Sequence, residues 1–123
     1  MSSPSRRVLI ADDSPTVRQV LCGALEATGF DVCGQATNGL EAIEQAVRSH
    51  PDLIVLDLSM PGVNGLQAAR TIRNQLPSIP IILFTGYAEA VNVKDATSAG
   101  INSVIGKPDV KRLITEARMC LNA

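Results

Sequence analysis

A chain of 123 residues, 46% of them hydrophobic, can form one core that removes about two-thirds of its unfolded surface from water, and a formal net charge of −1 gives no basic field for nucleic-acid phosphates. No apolar stretch approaches the roughly 18 residues of a membrane span, and residues 1–7 are not followed by the apolar core of a signal peptide. A cytoplasmic chain is expected, with no membrane partner and no direct nucleic-acid contact; Cys22, Cys33 and Cys120, odd in number and widely spaced, suit a reducing compartment and core-filling roles.

Residues 1–5 read as a disordered tail from their Ser and Pro content, and 6–123 as one domain without repeat or linker. A short apolar run, 8–11, reads as a strand ending at Asp12 and Asp13. Ser14 caps a helix with Pro15 at its first position, where Val17, Val20, Leu21, Ala24 and Leu25 form one stripe before Gly29. A second strand, 32–36, leads to Asn38, which with Glu41 resembles a capping box. In the helix it opens, Leu40, Ile43 and Val47 face inward until His50, a helix-end residue, and Pro51 stop it. The third strand, 53–56, ends at Asp57, and Leu66, Ala69, Ile72 and Leu76 then repeat at helical spacing before Pro77. A fourth strand, 79–84, precedes a weak helix at 89–99, whose Val93, Ala96 and few alanines offer little apolar anchor and leave it the element most free to move. A fifth strand, 103–105, precedes a helix capped by Asp109, with Val110, Leu113, Ile114, Ala117 and Leu121 on one face and Lys111, Arg112, Glu116 and Arg118 opposite.

This alternation predicts an α/β fold: a single doubly wound, five-stranded parallel sheet with helices on both faces. If the first and third strands are neighbours, Asp12, Asp13 and Asp57 open into one crevice, where such sheets bind ligands. Three carboxylates about 4 to 5 Å apart would repel by on the order of 3 to 4 kcal/mol per pair at an effective dielectric of roughly 20. A divalent cation relieves this, and hard oxygen donors favour Mg2+, which keeps waters and shares its shell with a phosphoryl group. A lone aspartate after a strand is more often a cap; three converging on one crevice are not so explained.

Asp12-Asp13, Asp57 within Leu56-Asp57-Leu58-Ser59-Met60-Pro61-Gly62, Thr85 after the fourth strand and Lys107-Pro108 after the fifth carry a resemblance to the response-regulator receiver domains of two-component phosphorelays. It covers nearly all of residues 7–121. The resemblance implies a flavodoxin-like strand order, 2-1-3-4-5, the winding for which the chemotaxis receiver is a standard example. It implies a receiver that is not a conventional enzyme but promotes its own phosphorylation and dephosphorylation. Asp57 would take a phosphoryl group from a phosphohistidine of a histidine kinase or phosphotransfer protein, or from a small acyl phosphate. Mg2+ would be ligated by Asp13, Asp57 and the Ser59 carbonyl, with Asp12 acting through a water. Lys107, aimed inward by a cis bond to Pro108, would pair with the phosphoryl oxygens, and the Thr85 hydroxyl would act as a sensor moving inward. Ser59 and Tyr87 stand where receivers tune the lifetime of the aspartyl phosphate, the Tyr87 ring shielding it from water. Val104 departs from the family, which often has an aromatic rotamer switch there. The fourth helix, fifth strand and fifth helix would form the switched surface for a homodimer or an output target. Residues 32–39 and 65–70 look most like receivers of helix-turn-helix transcription regulators.

Taken singly, Lys107 reads as a surface lysine, Thr85 as a strand residue and Tyr87 as a surface tyrosine; order and placement lift them. Two other classes stay open: an aspartate-nucleophile phosphatase of small molecules and a protein-binding module that is never phosphorylated. The first needs a substrate lid and a second aspartate two residues after Asp57, where Ser59 stands. Residues 100–107 do not complete a P-loop, because Pro108 replaces the Ser or Thr that binds Mg2+. No G-x-G-x-x-G follows the first strand, and one Tyr and two Phe leave little to sandwich a flavin.

Overall fold

The computed structural model describes residues 6–122, so the tail expected at 1–5 lies outside the described residues. Five short apolar segments pair as parallel strands in the order β2-β1-β3-β4-β5. They are β1 (Arg7–Ala11), β2 (Asp31–Ala36), β3 (Leu53–Leu56), β4 (Ile81–Thr85) and β5 (Ser103–Gly106). Between and after them run α1 (Pro15–Ala27), α2 (Gly39–Ser49), α3 (Gly65–Gln75), α4 (Val93–Ser98) and α5 (Val110–Asn122).

Strand side chains alternate in direction and so divide the core into two layers. Leu9, Ile54, Leu56, Ile81 and Leu83 meet alanines and isoleucines of α2, α3 and α4 on one face. Val8, Ile10, Val55, Ile82, Phe84 and Ile105 meet α1 and α5 on the other. With both faces covered, β1, β3 and β4 need no polar alternation. Each fully buried Leu or Ile contributes about 1.5 to 3 kcal/mol. Cys22, Cys33 and Cys120 are unpaired and half-buried, Cys22 and Cys120 against the second layer.

Side-chain caps fix several helix starts. Ser14 accepts from the Val17 amide at 3.3 Å and Asp109 from the Arg112 amide at 3.1 Å, as their spacing predicts. The expected box at Asn38 is half made: Asn38 accepts from the Glu41 amide at 2.9 Å, but the Glu41 carboxylate turns to the amide and hydroxyl of Thr37. The reciprocal box forms instead at Asn64 and Gln67.

Three expectations need correction. Leu40 and Val47 do not face inward; they are 57% and 37% exposed, because α2 lies close to the sheet on its small residues Ala42 and Ala46, with Gly39 against the Val63 backbone. Val20 likewise leaves the α1 stripe and is 52% exposed, with Leu21 and Leu25 carrying that contact. The helix expected at 89–99 breaks into a 3-10 turn at Ala88–Ala90 and the six-residue α4, since Asn92 accepts from the amides of Lys94 and Asp95 and starts a new helix.

The two ends of α4 are held differently. Asn92 caps the start of α4 within the helix, whereas just beyond its end the Arg73 guanidinium of α3 donates to the Gly100 carbonyl at 2.6 Å; the same group closes the end of α3 through the carbonyls of Pro77 at 2.8 Å and Leu76 at 3.3 Å. Gly100 has φ +81, and a Cβ there would meet Arg73 atoms, so this turn is built for that side chain.

Candidate functional site

Strand register places the acids. Ala11 pairs with Leu56, and one step beyond the strand ends the Asp57 amide donates to the Ala11 carbonyl at 2.9 Å. Asp12 is tied to β2 in the same way, its amide donating to Ala36 at 3.0 Å. On the other side Thr85 pairs with Gly106, and the Lys107 amide donates to the Thr85 carbonyl at 2.9 Å. Four residues far apart in the chain thus line one crevice at the carboxyl ends of β1, β3, β4 and β5.

Carboxylate oxygens of Asp12, Asp13 and Asp57 lie within 4.8 Å of one another. Asp12 and Asp57 are buried while Asp13 is exposed, which leaves the site open on one side. Lys107 Nζ lies 2.7 Å from Asp12 Oδ2 and 3.4 Å from Asp57 Oδ2. Burial pushes the Asp57 carboxyl above its usual range; Lys107 opposes that shift, Asp12 adds to it, and hydrogen bonds from Lys107 and the Thr85 hydroxyl pull it down. For Lys107, burial disfavours the ammonium, but the hydrogen bond to Asp12 and the charges of Asp57 and Asp12 outweigh it and hold the group above the usual lysine range. Lys107 therefore stays charged against two buried acids.

Three acids and one ammonium still leave negative charge in a half-closed crevice. All the acidic donors are hard oxygens, one face is open, and this set fits a divalent cation such as Mg2+. Thr85 is fully buried, its Oγ1 accepting from the Tyr87 amide at 3.2 Å, so the hydroxyl lies inside the fold already. Tyr87 and Ser59 are exposed at the rim, and the Lys107–Pro108 bond is cis. Val104 is only partly buried and lines, with Ala88, Val91, Ala96 and Ile101, a groove of about 390 Å3 between α4 and β5.

Two contacts at the site carry no motif. Gly65 opens α3 so close to the end of β3 that a Cβ would stand 2.2 Å from the Asp57 carbonyl oxygen. Since that neighbour is backbone, Gly65→Ala should destabilise the fold by about 2 to 3 kcal/mol. Urea unfolding checks this, and an unchanged midpoint would contradict it. Arg18 donates from Nη1 to the Asp12 carbonyl at 2.7 Å. Its signal in the sequence was a cation in the first turn of a helix, where the dipole disfavours one.

Comparison with known proteins agrees with this geometry. The sequence model described as "Response regulator receiver domain" matches residues 8–118. The chemotaxis protein CheY of Thermotoga maritima is 35% identical over 112 residues, covering 91% of this chain and 93% of CheY. The response regulator domain of Thermotoga maritima CheB superposes with a TM-score of 0.89 at 30% identity, covering 97% of this chain and 98% of that domain. The receiver domain of the sensor histidine kinase PA1611 from Pseudomonas aeruginosa, whose structure has a magnesium ion coordinated in its active-site cleft, gives 0.86 at 25% identity, covering 97% and 99%. The chain spans only 30% of the length of the protein-glutamate methylesterase of Hahella chejuensis that it also matches. Among the described residues no helix is long and apolar enough to cross a membrane.

Proposed function

The chain belongs to the response regulator receiver domain family of two-component systems, and from that premise we propose that Asp57 accepts a phosphoryl group from a phosphohistidine of a histidine kinase or phosphotransfer protein. The observation that carries the reading is the Lys107 ammonium set between the buried Asp12 and Asp57 carboxylates. A carboxylate oxygen of Asp57 attacks phosphorus, the P–N bond breaks with its electron pair passing to the imidazole nitrogen, and that nitrogen takes a proton from solvent. The product is an acyl phosphate on Asp57.

Burial strips water from the Asp57 carboxylate, and Lys107 offsets the charge that gathers on the phosphoryl oxygens. Asp13, Asp57 and the Ser59 carbonyl would hold Mg2+, with Asp12 acting through a water. When bound, Mg2+ neutralises phosphoryl oxygens and orients them for in-line attack. The Thr85 hydroxyl, buried at the end of β4, would donate to a phosphoryl oxygen. The chain is not a conventional enzyme in this reading; it forms and loses its own modification.

Incubation with Mg2+ and acetyl phosphate tests the proposal: intact mass should rise by one phosphoryl group per chain and stay unchanged in EDTA. Turnover of phosphorylated metabolites without stable labelling would instead support a phosphatase. Because Tyr87 is 60% exposed at the rim, its ring shields the group only partly. Tyr87→Ala should shorten the phosphoryl half-life severalfold, and an equal or longer half-life would remove this role. The groove beside Val104, with α4 and the charged side of α5, is the surface we assign to a homodimer or output target. With valine in place of a ring, repacking of α4 carries the signal there.

A further inference from the structure

We propose that Arg18 is a positioning residue for the acidic site, holding the Asp12–Asp13 peptide so that the exposed Asp13 carboxylate stays beside Asp57; this rests on the proposed phosphoryl function. Asp12 is fixed at four polar atoms from four directions. Its amide donates to Ala36 of β2, its carbonyl accepts from Arg18 of α1, Oδ1 accepts from the Ser14 amide at 2.9 Å, and Oδ2 takes the Lys107 ammonium. Two of those partners are main chain and one is Lys107. Arg18 is the remaining side chain.

Its bond goes to the carbonyl that begins the Asp12–Asp13 peptide. Fixing that oxygen fixes the plane of the peptide, and with it the direction in which Asp13 leaves the turn. Among the described residues the Asp13 carboxylate has no hydrogen-bond partner: it is exposed, yet stays within 4.8 Å of those of Asp12 and Asp57. Arg18 is itself oriented, its Nε donating to Gln35 Oε1 at 3.3 Å on the edge strand, where the Gln45 amide holds the Gln35 carbonyl at 2.8 Å. Among the described residues it has no carboxylate within ion-pair distance, so its donors serve the turn and not a salt bridge.

The proposal has a sign that separates it from plain electrostatics. As a bare positive charge near the acids, Arg18 opposes a cation, and its removal would tighten Mg2+ binding. As a support for ligands, its removal loosens binding, as losing an outer partner of a metal ligand does.

The test compares the parent with Arg18→Ala, Arg18→Met and Arg18→Lys. Mg2+ affinity is read by calorimetry and by the Asp13 amide resonance, and melting temperature is read in EDTA. Arg18→Ala and Arg18→Met should weaken Mg2+ binding about tenfold with little change in melting temperature. Labelling by acetyl phosphate should slow at low Mg2+ and recover at saturating Mg2+. Arg18→Lys, which keeps a donor and the charge, should restore much of the affinity. Unchanged or tighter binding in Arg18→Ala and Arg18→Met overturns the proposal, as does a melting-temperature loss with affinity intact. Failure of the parent to label while Mg2+ affinities follow this pattern would sink the phosphoryl reading and leave Arg18 in place.

Discussion

Asp57→Asn should lose all labelling by acetyl phosphate, at least about a thousandfold below the parent, because a carboxamide is not a nucleophile of this kind. The fold should survive the change, since the two side chains have nearly the same shape and the Asp57 amide bond to Ala11 is untouched. In EDTA the variant should melt no lower than the parent. Its like-charge contact with Asp12 is gone, and such pairs cost on the order of 3 kcal/mol at an effective dielectric of roughly 20. That gain is partly offset by the weaker partner left for Lys107. Intact mass spectrometry and a melting scan check both halves. Residual label in the folded variant would place the acceptor elsewhere.

Lys107→Met should slow labelling by about 10² to 10³, the usual loss when one donor to a developing oxyanion is removed. Methionine keeps the length of the stem and removes only the ammonium. The same change leaves Asp12 and Asp57, both buried, facing each other without their cation. Removing one member of a fully buried pair costs about 3 to 5 kcal/mol, and the partial exposure of Lys107 lowers this to about 2. The melting temperature in EDTA should fall accordingly, and Mg2+ should raise it more in the variant than in the parent. Equal Mg2+ stabilisation of both proteins would mean that Lys107 and the cation do not share the same charge balance.

Much of this was legible because the strands are continuous apolar runs and the acids stand at their ends. A run such as 53–56 has no polar face, so burial on both sides followed, and the parallel sheet with it. Ser14 and Asp109 were readable as caps because a cap acts three residues ahead in the chain. The misplaced helix faces came from trusting large residues. Leu40 and Val47 weigh more than Ala42 and Ala46 in any apolar pattern, yet close packing on the sheet selects the alanines. The break before α4 depended on which backbone groups Asn92 accepts from, a choice its identity alone does not make. Gly65 and Arg18 act on main-chain atoms across a turn and belong to no motif. Strand order came from family resemblance and not from the alternation, which allows several windings.

The unequal tethering of α4 determines the kind of motion open to it. Beyond its C-terminal side the chain is tied to α3 by the Arg73 bond to the Gly100 carbonyl and to β4 by Asn102, whose amide donates to the Ile81 carbonyl and whose Oδ1 accepts from the Ile81 amide, while the two bonds accepted by Asn92 lie within α4 and travel with it. The helix is a short lever with its fulcrum at Gly100. Its widest sweep falls at Val93, 78% exposed and a wall of the groove beside Val104, so a small tilt is enough to pinch or spread that groove.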